Sequence, residues 1–137
     1  MIELEQPIDA ARLSYPEIAG GAPTPLVGGV YEYTSDGFDQ VPGSFLFWGP
    51  YLDLDAGVYV LNFIGEVEGE LTVEFIHDTG KMRIKRISLG DLATPACVVL
   101  IRAVSKFEIR GVKTRALRRL RLEGIRLQCV HRVAGSP

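Results

Sequence analysis

Trp48, the only tryptophan, stands directly before a Gly49-Pro50 break, where an aromatic face could be held out for a flat ligand. Beside Leu46 and Phe47 it also suits a core, because tryptophan is highly buried on average. Glu66, Glu68, Glu70 and Glu74 form a run of carboxylates, the residue type that does general acid and base work when two flank one bond. Their ordinary alternative is a solvated hairpin face neutralised by Lys81, Arg83 and Lys85, in pairs worth little at a surface. Glu108 and Arg110 alternate with apolar Phe107 and Ile109, so both point away from the core. The rows Lys81/Arg83/Lys85, Lys106/Arg110 and Arg119/Arg121 are expected on one sheet face beside Glu74 and Glu108. A face of alternating guanidinium and carboxylate groups makes charge-assisted hydrogen bonds to a polar ligand. The same face also protects a sheet from edge aggregation, and the two readings stay open.

Several chemistries find no support. His77 precedes the Asp78-Thr79-Gly80 turn and reads as a turn-end histidine, while His131 lies near the C-terminus. No Ser-His-Asp arrangement is suggested by spacing. Two cysteines and two histidines, widely separated, give no zinc-ligand spacing. Gly28-Gly29 is followed by no Gly-Lys-Ser, so it is no phosphate loop. The expectation is therefore no catalytic residue, no metal and no cofactor. Cys97 and Cys129, each flanked by apolar residues, are expected as buried reduced thiols, with a bridge as the alternative in an oxidising compartment.

The elements that would position these side chains are strands. Phe, Tyr and Trp crowd residues 45–63, cut by Gly49-Pro50 and by Asp55-Ala56-Gly57. Aromatic strand-formers closed off by turn residues mark short strands of a sandwich. Residues 58–64 place Tyr59, Leu61 and Phe63 on one face, and residues 70–77 place Leu71, Val73 and Phe75 inward. Beyond the 78–80 turn the apolar parity slips from Met82 and Ile84 to Ile87 and Leu89, which predicts a bulge near Lys85-Arg86. Residues 96–104 are apolar on both parities and are expected to form a strand buried on both faces or at the sheet centre. The last element, 117–130, carries Leu120 and Leu122, then switches at Glu123-Gly124 to Ile125, Leu127 and Cys129, so a bulge is expected at Gly124. Residues 28–34 read as a first strand, and the polar loop 35–43 holds Asp36 and Asp39.

The reading is an all-β fold: an antiparallel β-sandwich of jelly-roll type, with about eight strands. Residues 1–27, broken by Pro7, Pro16, Pro23 and Pro25, form an irregular N-terminal arm that wraps over a sheet edge, with a helical turn possible near residues 8–13. Residues 28–132 form the sandwich and 133–137 a flexible tail. At 137 residues, with 47% hydrophobic and 23% charged residues, the chain has the composition of one globular domain. No apolar run reaches the roughly 20 residues of a membrane span, and no basic-then-apolar leader is visible, so a cytoplasmic location is the default expectation. The net charge of −2 hides a split: residues 1–80 carry fourteen acidic side chains and one basic, residues 81–137 fourteen basic and three acidic. In one sandwich, strands of both halves interleave, so the split is expected to become pairing across ladders. Aromatic and basic residues lie in different halves, which argues against a nucleic-acid reader.

Gly49-Pro50-Tyr51, Leu52-Asp53-Leu54 and Ala56-Gly57-Val58-Tyr59 with Phe63 following, then 69–73, 107–110 and 122–127, resemble carbohydrate-binding-module-like jelly rolls of galactose-binding-domain topology. The resemblance covers roughly residues 44–128. Comparable small domains accompany bacterial glycosyltransferases and polysaccharide enzymes, so it implies binding of a glycan or polysaccharide without catalysis. Under that reading Trp48 stacks on a pyranose ring, and Asn62 gives bidentate contacts to vicinal hydroxyls. Glu74, Arg83, Glu108 and Arg110 would supply the charged grip. Asp53 and Asp55 are the candidates for the structural calcium common in such modules. The rival reading is an assembly domain in which Val58, Val60, Ile64 and Ile76 form a homo-oligomer interface. Neither reading involves nucleic acid or membrane insertion.

Overall fold

The computed structural model describes residues 4–15, 26–27, 29–34, 45–78 and 81–132. In chain order the strands are β1 (Leu4–Asp9), β2 (Leu26–Val27), β3 (Val30–Thr34), β4 (Phe45–Phe47), β5 (Pro50–Leu54) and β6 (Gly57–Gly69), then β7 (Leu71–His77), β8 (Met82–Leu89), β9 (Ala96–Leu100), β10 (Val104–Val112) and β11 (Leu117–Arg132). They form two antiparallel sheets. The first has the order β2-β3-β11-β6-β9, with β1 also pairing β11; the second has the order β4-β10-β7-β8, with β5 also pairing β10. The chain crosses between sheets at β3–β4, β5–β6, β6–β7, β8–β9, β9–β10 and β10–β11. This is the expected sandwich, with eleven strands among the described residues rather than about eight.

The additional strands have local causes. The arm contributes β1 and β2, and the aromatic run splits at Gly49-Pro50, where proline has no N–H to give a ladder. A single 3-10 turn, Ala10–Arg12, follows β1, and Ile8, Ala10 and Leu13 are buried against the sandwich. Among the described residues no helix is long and apolar enough to cross a membrane. The loop 35–43 and the tail 133–137 lie outside the described residues, as do Thr79 and Gly80 of the hairpin turn.

The inward faces follow the alternation of the sequence. Tyr59, Leu61 and Phe63 of β6 meet Leu120, Leu122, Ile125 and Leu127 of β11, all buried. Opposite them lie Leu71, Val73 and Phe75 of β7 with Phe107 and Ile109 of β10. Phe75 and Phe107 stack with centroids 6.2 Å apart, and Tyr15 stacks on Tyr31 at 4.8 Å. Phe47 fills the space beneath Gly111, where any Cβ would come within 2.3 Å of its ring.

Both expected bulges are present. Phe75 pairs with Lys85 but Ile76 pairs with Arg83, which leaves Ile84 as the extra residue. Leu122 pairs with Gly65 and Gly124 with Ile64, which leaves Glu123 extra beside the glycine.

Two expectations fail in the 96–104 segment. It is neither buried on both faces nor central: among the described residues β9 pairs only with β6 and is the edge of its sheet. Ala96, Val98 and Leu100 point inward, while Cys97 and Val99 point out and are exposed. Apolar residues on both parities do not distinguish a central strand from an edge strand. The edge is capped instead by Lys85 of β8, whose Nζ donates to the Cys97 carbonyl oxygen at 3.0 Å and joins the rims of the two sheets. Cys97 is accordingly an exposed thiol, and Cys129 is half-buried; both are free. They lie on opposite faces of one sheet with β6 between them, about 10 Å apart by strand spacing, beyond disulfide reach.

The charge split resolves into pairing. Arg83 and Arg86 meet Glu74, Arg121 meets Glu32, and Arg132 meets Asp55, each joining a basic residue of the second half to an acidic residue of the first.

Candidate functional site

The outer face of the second sheet brings four of the six expected site residues together. Register fixes the arrangement. Arg110 of β10, Glu74 of β7 and Arg86 of β8 form one row across three strands. Glu108, Ile76 and Arg83 form the next row. The result is a block of three arginines and two glutamates in which unlike charges are neighbours.

Each contact within the block has a distinct job. Arg110 donates from Nε and Nη2 to the two carboxylate oxygens of Glu108, both at 3.2 Å, the forked geometry that locks a guanidinium in plane. Its other side rests on Phe45 of β4, 4.6 Å from the ring centroid. Glu108 itself is only 1% exposed, although it points outward. It positions Arg110 and is screened from a ligand. Glu74 Oε2 accepts from Arg83 at 3.0 Å and lies 3.8 Å from Arg86. The guanidinium groups of Arg83 and Arg86 remain largely open to water. Thr72 and Ser88 share a hydrogen bond in the adjoining row.

An exposed aromatic borders this block. Pro50 pairs with Glu108 and Leu52 with Phe107, so Tyr51 is the extra residue of a bulge. Its backbone has φ of 66°, and its side chain is 45% exposed while the flanking Leu52 packs on the core.

The other two expected residues lie elsewhere. Asn62 pairs with Arg126 on the outer face of the first sheet, on the far side of the sandwich. Trp48 is half-buried at the junction of β4 and β5, where its backbone exchanges two hydrogen bonds with Ser14, Ser14 N to Trp48 O at 2.7 Å and Trp48 N to Ser14 O at 3.0 Å.

The single basic face expected from sequence is divided. Arg119 and Arg121 lie on the first sheet opposite Glu68 and Glu66. The Ile84 bulge moves Arg86 outward with Arg83 and sends Lys85 over the rim. The glutamate run is divided as well. Glu66 and Glu68 belong to β6 and Glu74 to β7, on opposite outer faces, so they neither flank one bond nor share the hairpin cations.

Sequence reasoning missed Arg86, Phe45 and Tyr51. The parity slip after Ile84 carried the signal for Arg86. Ile76, expected as an exposed interface residue, is buried on the second sheet, separate from half-buried Val58 and Val60 and exposed Ile64 on the first. Asp53 Oδ1 accepts from the Lys106 N–H, Asp55 holds Arg132, and no group of three or more His, Cys, Asp or Glu among the described residues could hold a metal.

A concavity of about 400 Å³ opens at the end of the sandwich between β8 and β9. Its walls are Met82, Ile84, Val99, Ile101 and Val104, with His77 and Arg102 as the polar lining. It offers few hydrogen-bonding groups for a hydroxyl-rich ligand.

Two solved structures share this architecture. One is the C-terminal CBM6 of LamC, a marine laminarinase from Zobellia galactanivorans, with a TM-score of 0.50 and 12% identity over 92% of this chain and 98% of that one. The other is the carbohydrate-binding module CBM6cm-2 from Cellvibrio mixtus lichenase 5A, in complex with cellotriose, with a TM-score of 0.51 and 14% identity over 92% and 98%. No protein-family model and no curated protein matches the chain. At such identity the likeness is one of fold: the chain has the galactose-binding-domain-like jelly roll of carbohydrate-binding modules.

Proposed function

We propose that the chain is a non-catalytic, lectin-like or accessory module that binds a glycan on the outer face of β10, β7 and β8. The observation that carries this reading is the ordered block of Glu74, Arg83, Arg86 and Arg110 beside exposed Tyr51. Sugars are recognised by an aromatic face against their C–H groups together with planar polar groups against their hydroxyls. Here Arg110 is held by Glu108 and Phe45, and Arg83 is oriented by Glu74, before any ligand arrives, which lowers the ordering cost of binding. The fold agrees, since a solved structure of this architecture is a module in complex with cellotriose. Trp48 extends the surface if a ligand chain runs along β5 toward the Ser14 contact.

A glycan array with the purified protein tests this reading. The expected result is a defined set of hits, weakened several-fold by Tyr51→Ala through loss of a stacking face and about tenfold by Arg83→Ala through loss of a charge-assisted contact. The same array with Trp48→Ala decides whether the tryptophan takes part. An array without hits, together with a concentration-independent oligomer by light scattering, would favour the assembly reading. The observation on that side is the shared outer face of Val58, Val60, Ile64 and Val99, the last 55% exposed.

A further inference from the structure

The charges of the block are not evenly presented. Three guanidinium groups face two carboxylates, a surplus of one positive charge. The carboxylates are also sunk: Glu74 is 13% exposed, against 58% for Arg83 and 49% for Arg86. Glu108 is still deeper and fully engaged by Arg110. A ligand approaching this face therefore meets cations first, with the anions beneath them as orienting groups. Arg83 and Arg86 share one oxygen of Glu74, and the longer 3.8 Å approach leaves Arg86 the less committed of the two. Each guanidinium carries five N–H donors in a fixed fork, so most donors of this pair remain free for a second anionic group.

We propose, resting on the glycan reading above, that the ligand of this face is an anionic polysaccharide carrying carboxylate or sulfate groups. A neutral sugar gains from exposed carboxylates as much as from arginines, because hydroxyls both donate and accept. An anionic sugar gains only from the cations, and this face hides its carboxylates. Arg110, 23% exposed and with Nε and Nη2 taken by Glu108, offers its Nη1, and it stands two strands from Arg86, about 10 Å by sheet geometry, the length scale of a disaccharide. Charged groups on alternate sugars of one chain can thus meet both arginines at once. Tyr51, adjacent to the register partner of Glu108, stacks on the sugar between or beyond them.

Calorimetric titration of the full chain with polygalacturonate, with a sulfated carrageenan and with neutral galactan tests the proposal. The expected result is binding to at least one polyanion, at least about tenfold tighter than to galactan, and weakened several-fold between about 50 and 300 mM salt as screening lengths shorten. Preference for polygalacturonate identifies carboxylate as the recognised group, and preference for carrageenan identifies sulfate. Arg86→Gln and Arg83→Gln should each lower polyanion affinity about tenfold with an unchanged melting temperature. Salt-insensitive binding of galactan at equal or higher affinity overturns the anionic proposal and leaves glycan binding standing. Absence of binding to all three and to the glycan array removes the glycan reading itself. Tighter binding of single-stranded nucleic acid than of any polysaccharide overturns both.

Discussion

Glu108 is a carboxylate almost without contact with water on the outward side of a strand, answered by a single cation. Breaking a buried pair by removing one partner costs far more than the pair is worth, because the remaining charge stays desolvated. Arg110→Ala should therefore destabilise the protein by about 3 kcal/mol or more in denaturant unfolding. Replacing both residues, Glu108→Leu with Arg110→Met, should recover most of that loss. A cost below about 1 kcal/mol would place Arg110 among ordinary surface ion pairs and remove the preorganisation on which the binding face depends. The outward direction of Glu74, Glu108 and Arg110 was legible from alternation alone. The burial of Glu108 was not, since it depends on the Arg110 fork and on Pro50 across the ladder, neither of which leaves a local trace.

Individual strands were more legible than their neighbours. The inward sets of β6, β7, β10 and β11 follow period-2 alternation, and both bulges could be found from parity slips. Pairing between distant strands leaves no such mark. Nothing in residues 66–74 shows that the chain changes sheets at Gly69-Glu70, so one run of glutamates is divided between opposite faces of the molecule. The crossing depends on Gly69, whose φ of 88° and contact of 2.0 Å between a built Cβ and the Ala116 carbonyl oxygen exclude other residues. Edge position was equally hidden: Ala96–Leu100 has the composition of a central strand and lies at the rim. The candidate face was therefore half readable. Its residues on β7 and β10 follow from alternation, while its cations on β8 depend on one extra residue, Ile84.

At the scale of the molecule, the acidic first half and the basic second half meet in the pairs of Glu74, Glu32 and Asp55 with Arg83, Arg86, Arg121 and Arg132. Buried phenols give the fold a dependence on alkaline pH. Burial raises Tyr15 and Tyr31, and raises Tyr59 to about 12 with help from Cys129 and Asp55. Unfolded tyrosine titrates near pH 10. Between about 10 and 12 the unfolded chain gives up protons that the folded chain keeps, so stability is full below that window and falls as pH rises through it. The denaturation midpoint should be steady up to about pH 10 and then decline, with tyrosinate absorbance appearing together with unfolding. Tyrosinate signal in the folded protein near pH 10 would show these phenols to be open to solvent.

The proposed function places a glycan on the outer face of β10, β7 and β8. Amide chemical-shift mapping during titration with an oligosaccharide taken from the array reads that face directly. Shifts are expected to concentrate at Tyr51, Glu74, Arg83, Arg86 and Arg110, with Asn62, Val60 and Arg126 on the opposite sheet unmoved. Shifts gathered at Asn62 and its neighbours, or around Met82 and Ile101 at the sandwich end, would contradict it.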